Sequence, residues 1–153
     1  MIKEIQSVEA MGQLAGIIAG QLRGGDVLEL VGDVGAGKTT FTKALAASLG
    51  VTDNVQSPTF TLSSVYELPD GGRLVHYDFY RLSEPGVMRD ELRESVGDKA
   101  TVTVIEWSEV VADVLPTDRL VITFEHMADE AARRVRIEAA SERSRQMIAG
   151  IDR

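Results

Sequence analysis

The chain has 153 residues, the length of one ordinary domain, and its 44% apolar and 26% charged residues exclude a disordered protein. It contains no cysteine, which excludes disulfides, thiolate metal sites and cysteine nucleophiles. With 16 Lys and Arg against 24 Asp and Glu, the net charge is −8, so we expect no membrane contact and no autonomous nucleic-acid binding. No apolar run approaches the roughly 18 residues of a membrane span, and we expect a cytoplasmic protein.

Helices are predicted where apolar residues recur at the 3.6-residue period. In the first of them, Ser7 can cap the start, Glu9 suits the first turn, and Gly24 with Gly25 marks the end. The helices predicted in this way cover residues 8–23, 38–49, 83–96 and 141–151.

Seven apolar runs predict strands between and around these helices. The β-branched run at 101–105 is the best candidate for a central parallel strand, and a Pro-Asp-Gly-Gly turn joins 59–68 to 73–80 as a hairpin. The runs at 119–124 and 133–139 are expected to be antiparallel. The two remaining strands are predicted at 2–5 and 26–31. Helices that alternate with strands indicate a three-layer α/β fold with a mixed, mostly parallel sheet and antiparallel C-terminal strands.

The segment from Gly32 to Thr39 reads GDVGAGKT and matches the phosphate-loop pattern G-x-x-x-x-G-K-[ST], with a strand before it and a helix after it. Backbone N–H groups in such a loop cradle phosphate at the positive end of the helix. We expect Lys38 to reach the β- and γ-phosphates and the Thr39 hydroxyl to bind Mg²⁺, whereas Thr40 supports the helix or contacts an α-phosphate. The other loop residues expected at the nucleotide are Asp33, Val34, Gly35, Ala36 and Gly37. The alternative is a plain glycine-rich turn.

An NTPase also needs a carboxylate near the γ-phosphate, and two predicted strands end in one. Glu106 follows the run at 101–105, and Asp78 ends the returning strand of the hairpin. The alternatives are a surface carboxylate that caps the next helix for Glu106, and a structural acid paired to Arg81 or His76 for Asp78. His76 lies on the same strand face as Asp78, where it orients a water or ligand or belongs to the core.

The sequence lacks Asn-Lys-x-Asp, the motif that reads guanine, so ATP is the better nucleotide prediction. Arg89 and Arg93 lie four residues apart and are candidates for the arginine lid of a small-molecule kinase. The alternative is a solvated helix face beside Asp90 and Glu94.

Four segments together resemble one family. They are the phosphate loop with Phe41, Ser-Pro-Thr-Phe at 57–60, His-Tyr-Asp-Phe-Tyr-Arg-Leu at 76–82, and Ile-Glu-Trp at 105–107. In this order they resemble the TsaE (formerly YjeE) family of P-loop ATPases, from residue 7 to about residue 121. The resemblance implies a single P-loop ATPase domain over residues 1–153.

The resemblance also implies roles for individual residues. Thr39 and Glu106 become Mg²⁺ ligands, Lys38 holds phosphates, Asp78 is required for hydrolysis, and Trp107 lies near the nucleotide. Two further implications concern whole segments: residues 57–60 form a switch-like segment, and the start of the first helix, with Ser7 and Glu9, lies on the adenine side. Segment 86–99 departs from the family pattern, and after residue 127 only Glu130 and Arg133 are candidates to flank the nucleotide.

Members of the family bind ATP and Mg²⁺ and act with TsaB and TsaD, whose complex attaches threonylcarbamoyl to an adenosine of tRNA (t6A). ATP hydrolysis sustains multiple turnovers, and tRNA is reached only through the complex. No arginine finger stands in a recognised position, so we expect a slow ATPase that docking of the partners completes. The alternatives are a small-molecule P-loop kinase and a nucleotide-gated binding module.

Overall fold

The computed structural model describes residues 1–56, 62–80, 82–84 and 86–153. The strands are β1 Ile2–Ile5, β2 Val27–Val31, β3 Ser63–Glu67, β4 Arg73–Asp78, β5 Thr101–Glu106, β6 Leu120–His126 and β7 Arg133–Ala139. The helices are α1 Val8–Ala19, α2 Lys38–Ser48, α3 Gly86–Gly97 and α4 Glu142–Ile151, with a short 3-10 helix at Ser108–Val111. None of the helices in these described residues combines the length and the apolar character needed to cross a bilayer.

The strands form one mixed sheet in the order β1-β7-β6-β2-β5-β4-β3. The four inner strands β6, β2, β5 and β4 are parallel, while β7, β1 and β3 pair antiparallel. Among the described strands, the three parallel pairings form the centre of the sheet and the three antiparallel pairings lie toward its edges. The prediction that 101–105 is a central parallel strand is confirmed, and every residue of β5 is buried.

Two hydrophobic clusters cover the two faces of the sheet. Alternate residues of β5 point to opposite sides, so that Val104 joins the cluster beneath α1, α2 and α4 whereas Ile105 joins the cluster beneath α3. The largest side chains of the first cluster include Phe41 and Phe124, whose rings meet edge to face at 5.5 Å. The predicted three-layer α/β fold is therefore confirmed.

The first helix ends earlier than predicted. Its last residue is Ala19, and Gly20 closes it by donating its backbone N–H to Gly16. Gly24 does not end the helix. It packs against the carbonyl oxygen of Lys99, with which the Cβ of any other residue would collide.

The start of the third helix also differs from the prediction, since this helix begins at Gly86 rather than at residue 83. The first strand of the hairpin is β3 from Ser63, and residues 59–61 of its predicted run lie outside the described residues. The predicted switch segment 57–60 and Arg81 lie outside the described residues.

Candidate active site

The loop between β2 and α2 has the backbone that a phosphate cradle requires. Gly32 has φ +150°, and a Cβ at this position would lie 2.7 Å from the carbonyl oxygen of Phe124, so only glycine lets β2 and β6 close up here. Gly37 has φ +111° and precedes the first residue of α2, and the helix has no side-chain cap from the described residues. The positive end of α2 therefore adjoins the loop, where it favours an anion.

Lys38 is the first residue of α2 and is 6% exposed. Its Nζ donates hydrogen bonds to the carbonyl oxygens of Gly32 and, at 2.9 Å, Asp33, so the ammonium lies within the curl of the loop. Burial lowers the pKa of Lys38, while the nearby carboxylates of Glu106 and Asp78 act to raise it. The indole of Trp107 lies 4.8 Å below the ammonium.

The two candidate carboxylates meet because their strands are parallel neighbours. Asp78 at the end of β4 is in register with Glu106 at the end of β5. Glu106 is 2% exposed, and its Oε2 lies 2.6 Å from Nε2 of His76. The interpretation of Glu106 as a surface acid that caps the next helix is wrong, since the carboxylate is buried and the 3-10 helix after it has no side-chain cap.

Asp78 is held by the backbone rather than by a side chain. Among the described residues, its Oδ1 accepts one hydrogen bond, at 3.1 Å, from the backbone N–H of Tyr80. Burial raises the pKa of Asp78, an effect that this hydrogen bond opposes and the negative charge of Glu106 reinforces. Such an acid is poised to take part in proton transfer or to gain from a cationic ligand.

These side chains line one cavity of about 280 Å³. Its walls contain nine of the predicted site residues: Val34, Gly35, Gly37, Lys38, Thr39, Thr40, Asp78, Glu106 and Trp107. Tyr80 is a tenth wall residue, and it was not among the predicted site residues. The available signal was its position two residues after the strand-end acid Asp78.

Four predicted residues lie elsewhere. Ala36 is 1% exposed and belongs to the core beneath the loop, while Asp33 lines a neighbouring cavity of about 410 Å³ on the far side of Trp107. Ser7 lines a third cavity of about 110 Å³ together with Gly35, Gly37 and Thr40, and its side chain also caps α1. Glu9 is exposed and lines none of these three cavities.

Trp107 stands in a strained conformation between the first two cavities. Its φ of 55° and ψ of 52° lie in the left-handed region, which costs a bulky residue about 1–3 kcal/mol. The indole packs against the ring of Tyr80, with centroids 4.8 Å apart. The conformation places an aromatic wall directly after Glu106 and beside Lys38.

Arg133, at the start of β7, approaches the loop from the opposite side. Its Nη2 donates to the carbonyl oxygen of Gly35 at 3.3 Å, and its Nη1 donates to those of Glu130 and Ala132 at 2.6 and 2.7 Å. Arg133 lines the third cavity beside Ser7, whereas the side chain of Glu130 is exposed.

The lid proposed for a kinase is not assembled at the cavity. Arg89 faces Asp113 at 3.4 Å, and Arg93 faces Asp90 of its own helix at 3.3 Å. Neither arginine lines the 280 Å³ cavity. The geometry favours the solvated helix face.

The donor set fits a magnesium nucleotide. The Thr39 hydroxyl and the Glu106 carboxylate offer oxygen ligands, which Mg²⁺ prefers. Within the described ranges no group of three or more His, Cys, Asp or Glu residues forms a protein cage for a metal. Mg²⁺ in sites of this type is held by one or two protein oxygens together with phosphates and water, so two ligands beside a phosphate cradle are sufficient.

Comparison with known proteins decides the family. The sequence profile described as "Threonylcarbamoyl adenosine biosynthesis protein TsaE" matches residues 5–135. This chain belongs to the TsaE family.

Individual TsaE relatives agree with the profile. The tRNA threonylcarbamoyladenosine biosynthesis protein TsaE of Streptomyces coelicolor is 40% identical over 127 residues, which are 82% of this chain and 86% of that protein. The TsaE protein of Aquifex aeolicus is 40% identical over 141 residues, or 90% and 96% of the two chains. The crystal structure of YdiB from Bacillus subtilis superposes with a TM-score of 0.81 at 31% identity and covers 99% of this chain and 93% of that one.

Proposed function

We propose that this chain is a Mg²⁺-dependent ATPase subunit required for multiple-turnover formation of threonylcarbamoyladenosine in tRNA, acting with TsaB and TsaD. The observation that carries the proposal is the meeting of Lys38, Thr39, Asp78 and Glu106 in one cavity at the phosphate loop. Membership of the TsaE family supplies the pathway. Residues 1–153 act as a single P-loop ATPase domain, and a role on tRNA implies the cytoplasm.

Each side chain has a distinct task in the proposed hydrolysis. The loop amides and Lys38 hold the β- and γ-phosphates, and Thr39 with Glu106 holds the metal. Mg²⁺ held by Thr39 and Glu106 would supply positive charge against the charge that develops on the phosphate oxygens. Asp78 orients the attacking water and accepts a proton from it. Its raised pKa suits this task, as does the one hydrogen bond that the described residues give it.

The protein is proposed to be slow on its own. Among the described residues, none that lines the 280 Å³ cavity is an arginine, and Arg133 lies at the other side of the loop. A group from TsaB or TsaD therefore completes the stabilisation of the transition state. The net charge of −8 supports indirect contact with tRNA through these partners.

Reconstitution of tRNA modification tests the function. TsaB, TsaD and the enzyme that supplies the threonylcarbamoyl adenylate are mixed with excess tRNA, with this chain, with its Asp78→Asn variant, or without either. We expect repeated turnover only with the unmodified chain. Equal turnover without the chain contradicts the proposal, and equal turnover with Asp78→Asn favours a nucleotide-gated module in which hydrolysis is incidental.

The fate of the γ-phosphate tests the kinase alternative. We expect one inorganic phosphate released for every ADP formed, at a rate that TsaB and TsaD increase. An unchanged rate contradicts the dependence on partners, and phosphate transferred to a small acceptor favours the kinase.

A further inference from the structure

A buried histidine lies directly behind the cavity and has no task in the proposed hydrolysis. His76 on β4 is 1% exposed, and it is absent from the walls of the 280 Å³ cavity. The side chain therefore does not touch a nucleotide or metal bound there. Its Nε2 does reach Oε2 of Glu106 at 2.6 Å, and Glu106 lines the cavity.

Mg²⁺ binding requires Glu106 as the carboxylate, whose oxygens can only accept a hydrogen bond. In that form of the site, Nε2 of His76 is the donor to Oε2 of Glu106. The other ring nitrogen, Nδ1, is buried and has no hydrogen-bond partner in the described part of the chain. The bond to Glu106 is therefore the one hydrogen bond that the described residues give this ring, and it fixes the ring's orientation.

Strand register explains how one ring can hold this carboxylate. His76 is in register with Val104, two residues before the pair formed by Asp78 and Glu106. Side chains two apart on a strand share a face, so the imidazole lies beneath the end of β5 and meets the carboxylate from below. Burying a polar ring costs free energy unless the ring is hydrogen-bonded, and the contact with Glu106 supplies that hydrogen bond.

We propose that His76 is a positioning residue that holds the Glu106 carboxylate in the orientation that binds Mg²⁺. This inference rests on the proposed function, because it assigns the metal to Glu106. Hydrogen bonds to metal-ligating side chains fix their orientation, and their loss costs roughly 10- to 100-fold in metal affinity or activity.

Two substitutions form a matched pair. His76→Gln places an amide N–H close to the position of Nε2, so it keeps the donor, whereas the shorter His76→Asn cannot reach Glu106. Trp107 is the only tryptophan of the chain and lines the cavity, so its fluorescence reports binding directly. The titrations are ADP without metal, and then Mg²⁺ into protein saturated with ADP.

We expect His76→Asn to weaken Mg²⁺ binding roughly 10- to 100-fold and to leave metal-free ADP affinity unchanged. His76→Gln should retain the wild-type Mg²⁺ affinity. In a Glu106→Gln background, His76→Asn should have no further effect on Mg²⁺, because the carboxylate that it orients is already lost.

Three results overturn the inference: unchanged Mg²⁺ affinity in His76→Asn, an equal loss of metal-free ADP affinity, or equal losses in His76→Asn and His76→Gln. If His76→Asn does not fold, His76→Gln decides, since a loss of Mg²⁺ affinity in this donor-keeping variant overturns the inference and wild-type affinity supports it. A wild-type protein whose ADP binding ignores Mg²⁺ overturns the proposed function as well. Mg²⁺-dependent wild-type binding with an indifferent His76→Asn overturns this inference alone.

Discussion

The acids at the amino ends of the parallel strands differ in their hydrogen bonding from the acids at the carboxyl ends. At the amino ends, Asp26, Asp98 and Asp118 precede β2, β5 and β6 and accept two or three hydrogen bonds each from their own chain. At the carboxyl ends, the described residues give Asp78 one hydrogen bond, and Glu106 contacts His76. The first group stabilises the fold, and the second is available to a ligand.

The pKa shifts follow this difference. Hydrogen bonds from Thr101, the Ala100 amide and Arg73 lower the pKa of Asp98 to about 2. Burial acts to raise the pKa of Asp118, but the donors of Ser144 and Arg143 outweigh it and lower the pKa. Fewer donors meet Asp78, and burial raises its pKa.

The largest expected effect is at Asp78. Asp78→Asn should reduce ATP hydrolysis by at least about 100-fold, because the group that handles the water's proton is lost. Nucleotide affinity should remain, and the midpoint of thermal unfolding should not fall, since the native state disfavours the charge that is removed. Phosphate release and calorimetry measure the two quantities, and wild-type turnover would reassign Asp78 to structure.

An Asp-to-Asn substitution at the amino ends of the strands should lower stability and leave the nucleotide site unaffected. Asp26 is buried and bonded to Nε and Nη2 of Arg143 at 2.9 and 2.5 Å. Asp26→Asn leaves that guanidinium without its counter-charge, so the free energy of unfolding should fall by roughly 3 kcal/mol. Urea titration measures the loss, while ADP affinity serves as the control and should not change. An Asp26→Asn variant that is as stable as the wild type, or that loses ADP binding, would contradict this difference between the two ends.

The contribution of Asp98 to stability should depend on pH, which is a further test of the difference between the two strand ends. A lowered pKa in the native state stabilises the fold above the unfolded pKa near 3.8, and this contribution disappears as the pH falls through about 2. The unfolding midpoint of Asp98→Asn should therefore lie below that of the wild type at neutral pH and converge with it toward pH 2. Parallel midpoints across this window would contradict the assignment.

The smallest effect is expected on the exposed face of α3. Arg93 and Asp90 form a surface pair, so Arg93→Gln should change the free energy of unfolding by less than about 1 kcal/mol and leave ATP hydrolysis unaltered. A large loss of phosphate transfer in this variant would instead support Arg93 as part of a kinase lid.

Sequence pattern alone predicted the sheet centre and the residues at its carboxyl edge. Gly32 and Glu106 follow predicted apolar strands, and Asp78 ends the apolar run of a third. Parallel strands end at one edge of the sheet, so their meeting needed no knowledge of the register. Helix ends were less predictable, because Gly20 closes α1 although Gly24 looked like the stronger signal.

Contacts that depend on register or strain could not be predicted. The approach of His76 to Glu106 requires the alignment of β4 with β5, which sequence spacing does not contain. The left-handed backbone of Trp107 is unusual for a bulky residue, and no local pattern indicates it. The inward burial of Ala36 likewise follows from how the loop closes over the core.

Calorimetric titration of a non-hydrolysable ATP analogue, with and without Mg²⁺, tests most directly the claim that the carboxyl edge is a magnesium-nucleotide site. The wild-type protein should bind the analogue at one site, more tightly with Mg²⁺, and Glu106→Gln should lose the Mg²⁺-dependent gain while Asp26→Asn keeps it. Absence of binding, or an Mg²⁺-dependent gain that survives in Glu106→Gln, would contradict the account.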